Sequence, residues 1–462
     1  MTDGKIEKNN IYFVGAGGIG MAALERYFKS RGYNVAGYDR TASALTHALE
    51  GEGITISYTD SYDTIPETFR DPAATLVVYT PAIPQNNNIL TWFKSNGFTP
   101  VKRAEVLGLV TRSSCSLCFA GTHGKTTTSS MAAHILHESK AGCNAFLGGV
   151  LRNYGTNFLL DNNSRLSVIE ADEYDRSFHH LQPYVAVITS TDADHLDIYG
   201  TEEAYLESFA HFTELIQPDG ALIIHEGLKL VPRPAEGVRV YTYSRDSGDF
   251  HASDIRREEG TITFNLVTPD GCIGDIELGV PVEINIENAI AAAAAVWAAG
   301  VFEPEAVKKA LASFMGPKRR FEFHLRQPGH VIIDDYAHHP DELRASIRSV
   351  KALYPDRKLT VAFQPHLYSR TRDFAADFAA ALSEAHSVVL LDIYPARELP
   401  IEGVTSQIIF DRLTCPERRL ITKDEFVETI NTMSWELLLS AGAGDIVDYL
   451  PLIVQHYQSD VK

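Results

Sequence analysis

The chain has 462 residues, 45% hydrophobic and 22% charged, with a formal net charge of -19 at pH 7. That length points to about three domains of ordinary size, and the composition to a globular protein with sizeable cores. The acidic balance excludes general nucleic-acid binding, which needs a basic face, so an anionic ligand has to be met by a few local cations.

The opening "MTDGKIEKNN" lacks the apolar core of a signal peptide. The next segment, "IYFVGAGGIGMAALERYF", is a strand, a glycine turn and a helix. Gly15, Gly17 and Gly20 stand in Gly-x-Gly-x-x-Gly spacing, with Gly18 and Ile19 inside the turn, and Asp39 ends the following strand "NVAGYD". This is the dinucleotide fingerprint with its ribose-binding acid. Physically it predicts a diphosphate on a helix N-terminus with a ribose nearby, a demand that nicotinamide cofactors and nucleotide-sugars both meet.

Strands and amphipathic helices then alternate along the whole chain, which predicts layered α/β domains, with boundaries expected near residues 110 and 320. The three resulting segments are 1–110, 111–320 and 321–462. The second opens on "CFAGTHGKTTTSSM". Gly121, Thr122, His123, Gly124, Lys125, Thr126 and Thr127 read as a phosphate-binding loop, although Phe119 stands where its first glycine belongs. The glycines let backbone amides wrap a phosphate, Lys125 is a point cation for the β and γ phosphates, and the Thr126 hydroxyl suits magnesium. Cys115 and Cys118, a lone C-x-x-C among five cysteines, read as strand residues leading into this loop, and so low a count fits a reducing cytoplasm. Two later strands end in acids: "RLSVIEADEYD" in Glu170, with Asp172 and Glu173 beyond, and "VAVITSTDADHLDIYG" in Asp192, Asp194 and His195. Such groups beside a phosphate loop are what a magnesium–nucleotide site needs. The longest uncharged apolar run, residues 289–302, is too short to span a bilayer.

"GTHGKTTT", "EADEYDRSFHHLQP" and "DADHLDIYG" resemble the central ATPase domain of the Mur ligase family. "GAGGIGM", "GPKRRFEFH", "DDYAHHP" and "FQPHLYSRT" resemble the branch of that family that joins L-alanine to UDP-N-acetylmuramate in the cytoplasmic stage of peptidoglycan synthesis. The resemblance implies three domains: an N-terminal Rossmann-like one for the UDP-sugar, a central ATPase with a mostly parallel sheet, and a C-terminal Rossmann-like one for the amino acid. The first fingerprint then holds a UDP diphosphate, not NAD. The resemblance also implies ATP and Mg2+, the ion held by Thr126, Glu170 and His195. Glu170 is preferred to Glu173 because it sits where the strand ends. Asn285 and Asn288 match adenine-site asparagines and equally suit helix capping. Arg319 or Arg320 would reach the ATP phosphates. Tyr336, His338 and Arg370 would bind L-alanine, with Arg370 on its carboxylate. Many relatives have arginine where this chain has Leu367. Several sister ligases bridge a second magnesium with a carbamylated lysine about four helical turns past the metal-binding histidine; here "LDIYGTEEAYLESFAHFTEL" contains no lysine.

Three rivals stand beside this reading. A nicotinamide oxidoreductase would leave "GTHGKTT" unused, and a non-enzymatic ATP-binding regulator need not keep "EADE" and "DADH" together. A recycling ligase that attaches a tripeptide to the same sugar nucleotide shares "GTHGKTTT" and "EADEYD", but "HLQP" and "FQPHLYSRT" favour the alanine branch.

Overall fold

The computed structural model describes residues 6–84, 86–396 and 398–459. Its first sheet contains β1 (Asn10–Val14), β2 (Asn34–Tyr38), β3 (Thr55–Ser57), β4 (Thr75–Tyr79) and β5 (Val101–Lys102), ordered β3-β2-β1-β4-β5 with all neighbours parallel. Every residue of β1 is buried, as a strand covered on both faces requires. Helices α1 (Ile19–Ser30), α2 (Ala44–Gly51), α3 (Asn88–Ser95) and α4 (Arg103–Arg112) connect and flank these strands. β2 lies on one side of β1 and β4 on the other. The glycine turn after β1 therefore sits where the strand order reverses, the place at which open α/β sheets leave a ligand crevice.

The second sheet contains β6 (Cys115–Ala120), β7 (Asn144–Leu151), β8 (Thr156–Leu159), β9 (Leu166–Glu170), β10 (Val185–Ile188), β11 (Ala221–His225) and β12 (Arg239–Tyr243), ordered β12-β11-β10-β6-β9-β7-β8. Only β8 runs antiparallel to its neighbour. Both cysteines of the C-x-x-C lie in β6, as expected, and Cys118 is fully buried. Helices α5 (Lys125–Glu138), α6 (Leu196–Tyr199) and α7 (Glu202–Glu214) belong to this layer. Because β9 and β10 are the two neighbours of β6, the acids at their carboxyl ends flank the phosphate loop.

Helix α4 spans the boundary expected near residue 110. Its Val106, Leu107, Leu109 and Val110 share one hydrophobic cluster with Phe13, Leu24 and Phe28 from the first layer and Phe178 and Phe209 from the second. The two sheets accordingly form a single compact unit that runs to Asp254 and includes Phe264–Ile276 and Ile286–Phe314. A small sheet follows, β13 (His251–Glu258), β14 (Thr261–Thr268) and β15 (Gly271–Glu277) in that order, then helices α8 (Ile284–Ala298) and α9 (Pro304–Ser313). The apolar run of residues 289–302 is a core segment: Ala289 to Ala295 are all fully buried. No described helix is long and apolar enough to cross a membrane.

The second unit consists of Ile255–Thr263, Glu277–Asn285 and the chain from Met315 onward. Its sheet contains β16 (Glu322–Arg326), β17 (Val331–Asp335), β18 (Leu359–Phe363), β19 (Ser387–Leu390), β20 (Glu417–Leu420) and β21 (Leu437–Ala441), ordered β16-β17-β21-β18-β19-β20. All pairs are parallel except β16 with β17. Helices α10 (Pro340–Leu353), α11 (Tyr368–Asp373) and α12 (Ala375–Leu382) follow β17 and β18. The molecule is thus the α/β protein that the sequence predicts, with three mostly parallel sheets.

Candidate active site

The glycine turn is shaped by Asp39. The Gly17 amide donates to Asp39 Oδ2 at 2.7 Å and the Thr41 amide to Oδ1 at 3.0 Å. A Cβ on Gly17 would lie 2.9 Å from that same Oδ2, and Gly15 has φ +97°, so both positions require glycine. Spacing alone assigns Asp39 to a ribose, whereas here both of its oxygens hold the turn. Gly18 caps α1 and the helix begins at Ile19. A Cβ on Gly20 would stand 2.8 Å from Arg103 Nη1. Arg103, the first residue of α4, supplies the local cation that the acidic composition demands. No sequence signal singles it out, since one arginine at a helix start carries no motif.

From Gly121 onward the glycines set the course of the second loop. Gly121 has φ +140° and a Cβ there would meet Thr189 Oγ1; Gly124 has φ +84° and leads directly into α5. The Thr122 amide donates to the Ser190 carbonyl at 3.2 Å and the His123 amide to Ser190 Oγ at 2.8 Å. The Thr122 hydroxyl reaches the Asp192 carbonyl at 2.7 Å. Thr126 Oγ1 donates to Glu170 Oε1 at 3.1 Å, and the Gly148 amide to Glu170 Oε2 at 3.0 Å. The Lys125 ammonium lies 2.7 Å from Glu173 Oε1 and 2.5 Å from the Gly121 carbonyl. Burial pushes both carboxyls up from the ordinary glutamate range, and the Thr126 hydroxyl and the Lys125 charge oppose it at Glu170, as the Lys125 charge does at Glu173. The two acids of "EADE" therefore divide the loop, Glu170 on the threonine and Glu173 on the lysine. His195 adopts φ +52° and packs its ring against Tyr174, with Nε2 3.7 Å from Asp194 Oδ2. Asn288 Oδ1 accepts from Thr128 at 3.0 Å and would lie 2.9 Å from a Cβ on Gly124, which places this asparagine beside the loop. Asn285 donates to the Val280 carbonyl at 3.0 Å within the second unit.

A cavity of about 290 Å³ lies between the glycine turn and the carboxyl end of β9. Its wall runs from Gly18, Gly20 and Arg103 to Glu170 and Asp172.

In the second unit, Tyr336, His338, His366 and Arg370 come together. The rings of Tyr336 and His338 are 5.2 Å apart, and those of His338 and His366 are 6.2 Å apart. Burial, then the Arg370 and His338 charges, push the His366 imidazole below its usual range. Among the described residues, Arg370 Nη1 and His366 Nδ1 are buried without a protein hydrogen-bond partner. His366, absent from the expected alanine-binding set, belongs to this cluster. Leu367 has φ +70°, a costly conformation for a branched side chain. Arg319 spends its guanidinium on Asp334 Oδ2 at 3.2 Å and on the carbonyls of Gly444 at 3.1 Å and Gly442 at 2.5 Å. Arg320 extends over the Tyr336 ring at 5.9 Å and is solvent-exposed.

Family models match almost the whole chain: "Mur ligase family, catalytic domain" over residues 10–114, "Mur ligase middle domain" over 119–296 and "Mur ligase, glutamate ligase domain" over 319–449. The chain belongs to the Mur ligase family. Among similar Mur ligases, the UDP-N-acetylmuramate–L-alanine ligase of Parabacteroides distasonis is 58% identical over 94% of both chains. That of Phocaeicola vulgatus is 56% identical over 96% of this chain and 97% of its own. The crystal structure of the UDP-N-acetylmuramate-alanine ligase of Thermotoga maritima superposes with TM-score 0.77 at 26% identity, covering 98% and 99% of the two chains. A murein peptide ligase from Psychrobacter arcticus shares the fold at TM-score 0.61 and 21% identity.

The Mur ligase loop fits a hard cation. Thr126 and Glu170 present oxygen donors 3.1 Å apart at the start of α5, the ligand type that magnesium prefers. Glu173 Oε2 is buried with no protein partner among the described residues. Among the described residues, no cluster of three or more His, Cys, Asp or Glu forms. A cation here would be held by Thr126 and Glu170, with His195 the further ligand that the sequence predicts.

Proposed function

We propose that this Mur ligase joins L-alanine to the lactyl carboxylate of UDP-N-acetylmuramic acid, using ATP, through an acyl phosphate, in the cytoplasm. The cavity that runs from the glycine turn to Glu170 carries the reading. A nucleotide-sugar with its diphosphate on Gly15–Gly20 and Arg103 points its carboxylate at the phosphate loop. A nicotinamide on the same turn would leave that loop without a task. The segments 1–110, 111–320 and 321–462 then serve the UDP-sugar, ATP and amino acid respectively.

A carboxylate is a poor acylating agent. One of its oxygens takes the γ-phosphoryl group of ATP, ADP departs, and the acyl phosphate forms. The alanine amine attacks the acyl carbon, loses a proton, and the tetrahedral intermediate expels phosphate. Phosphoryl transfer of this kind depends on positioning and charge stabilisation. Lys125 stabilises charge on the transferred group, and Thr126 and Glu170, with His195, would hold Mg2+, which would supply positive charge to the ATP phosphates. Arg370 pairs with alanine's carboxylate, while Tyr336 and His338 flank it. Arg320, not Arg319, is the arginine whose side chain remains available to phosphates.

Phosphate release measured with ATP, UDP-N-acetylmuramate and a panel of amines tests the proposal. L-alanine should support the fastest turnover. Preference for a tripeptide would identify the recycling ligase instead, and the absence of amine-dependent release would overturn both.

A further inference from the structure

A cavity in the first unit lies at the opposite end of the second sheet from the phosphate loop. It measures about 560 Å³ and is lined by Tyr27, Phe28 and Arg31 at the end of α1, Tyr33, Ser114 just before β6, and Arg165 just before β9. Glu170 ends β9 and Gly121 follows β6, at the other ends of those strands and roughly 17–23 Å away at ~3.3 Å per residue. This volume is typical of small-molecule sites. Three aromatic rings form its apolar wall, and the Arg31 guanidinium stacks 5.2 Å above the Tyr27 ring. Arg31 and Arg165 are both exposed, and among the described residues neither side chain makes an ion pair or hydrogen bond to the protein. In a chain of net charge -19, two arginines left without acidic partners at one aromatic cavity are conspicuous, because nearby carboxylates usually claim such cations.

We propose that this cavity is a second ligand site, for an anion carrying a flat ring, of about the size of a mononucleotide. The ring packs on Tyr27 and Tyr33, and the anionic group is bound by Arg31 and Arg165 in forked geometry. The site is coupled to the glycine turn. Helix α1 lines this cavity with its last residues and the catalytic cavity with its first, Gly20 and Met21. The Tyr27 ring also contacts Phe146, which lines the catalytic cavity, at 5.5 Å. A ligand that orders the end of α1 thereby changes affinity at its start.

The aromatic sulfonate 8-anilinonaphthalene-1-sulfonate is a suitable probe, titrated by fluorescence with ADP and UDP-N-acetylmuramate both saturating. One saturable, salt-sensitive phase is expected. Its affinity should fall at least tenfold in an Arg31→Ser/Arg165→Ser variant and stay within threefold in Arg165→Lys. Asn163→Glu, an exposed change at the cavity wall, should weaken it as well and guards against misfolding of the double variant. Probe affinity unchanged in both the double variant and Asn163→Glu would overturn the site. For the coupling, the probe should alter the Kd of UDP-N-acetylmuramate at least twofold in the native chain and not in the double variant. An unaltered Kd would overturn the coupling. This second arm rests on the activity proposed above, whereas the probe titration does not.

Discussion

Glu173 holds the Lys125 ammonium at 2.7 Å while remaining only 2% exposed, against 14% for the lysine side chain. A buried carboxylate is tolerated only because the cation answers it, so removing the lysine alone strands an unpaired charge.

Lys125→Ala should therefore do two things. Turnover should drop roughly a hundredfold or more, since one transition-state cation in a dry site contributes a few kcal/mol. Stability should drop by about 2–4 kcal/mol. A Lys125→Ala/Glu173→Gln double variant should recover most of the stability and none of the turnover. Denaturant melts beside rate measurements separate the two effects; a double variant as unstable as the single one would show that the pair is not coupled.

Arg103 makes a second, independent test. Arg103→Ala should raise KM for UDP-N-acetylmuramate tenfold or more, with KM for ATP changed less than threefold, because its guanidinium faces the glycine turn. Equal effects on both constants would place it in the phosphate-loop machinery.

Acceptor recognition should respond to Arg370. Arg370→Ala is expected to raise KM for L-alanine far more than that for ATP, and to narrow the preference for L-alanine over alaninamide, which lacks the carboxylate. If only the ATP constant moves, Arg370 serves phosphate.

Glu25 gives the pH prediction. It is fully buried in α1, and neither carboxyl oxygen has a protein partner among the described residues. Burial pushes its carboxyl well above the usual range, helped by Asp39 and Glu52 and opposed by Arg26. A raised folded-state pKa means that the proton is held more tightly in the fold. Its stabilising contribution is complete below the unfolded value near 4.5 and is lost as pH rises through the folded one. Glu25→Met should consequently gain on the native chain as pH rises from 5 to 9, with the Tm difference widening by about 3 °C or more. A pH-independent difference would mean that Glu25 ionises freely in the fold.

Helix α7 and the segment before it contain no lysine between His195 and Leu215. Exhaustive removal of bicarbonate should leave the rate unchanged, since carbamylation needs a neutral lysine amine and dissolved carbon dioxide. A rate restored by added bicarbonate would mean that a lysine from elsewhere in the chain enters the metal site.

Much of this site was legible in the sequence because backbone demands leave a signature in residue type. Gly15, Gly17, Gly121 and Gly124 occupy positions where a Cβ would be strained or collide, and strand ends announce Glu170. Direction was not legible. Spacing shows that Asp39 ends β2, but not that both its oxygens turn back onto the Gly17 and Thr41 amides. "KRRF" does not reveal that Arg319 is consumed by Asp334 and two carbonyls while Arg320 is not. Arg103 and Glu173 matter only through residues brought beside them by sheet order, which no local pattern encodes. The shared core across α4 was hidden for the same reason, since each of its apolar residues would suit an ordinary surface helix.

That shared core has an engineering consequence. On the function proposed above, acceptor choice would reside in one unit, and donor and nucleotide handling in the other. The seam between them is crossed by the chain five times, because Ile255–Thr263 and Glu277–Asn285 belong with the residues after Met315. A chimaera cut once near residue 315 would leave two pieces of the acceptor module behind with the wrong parent. Exchanging amino-acid specificity between relatives therefore requires transplanting three segments together, and a fragment ending near residue 110 would expose half of a core that two sheets were built to share.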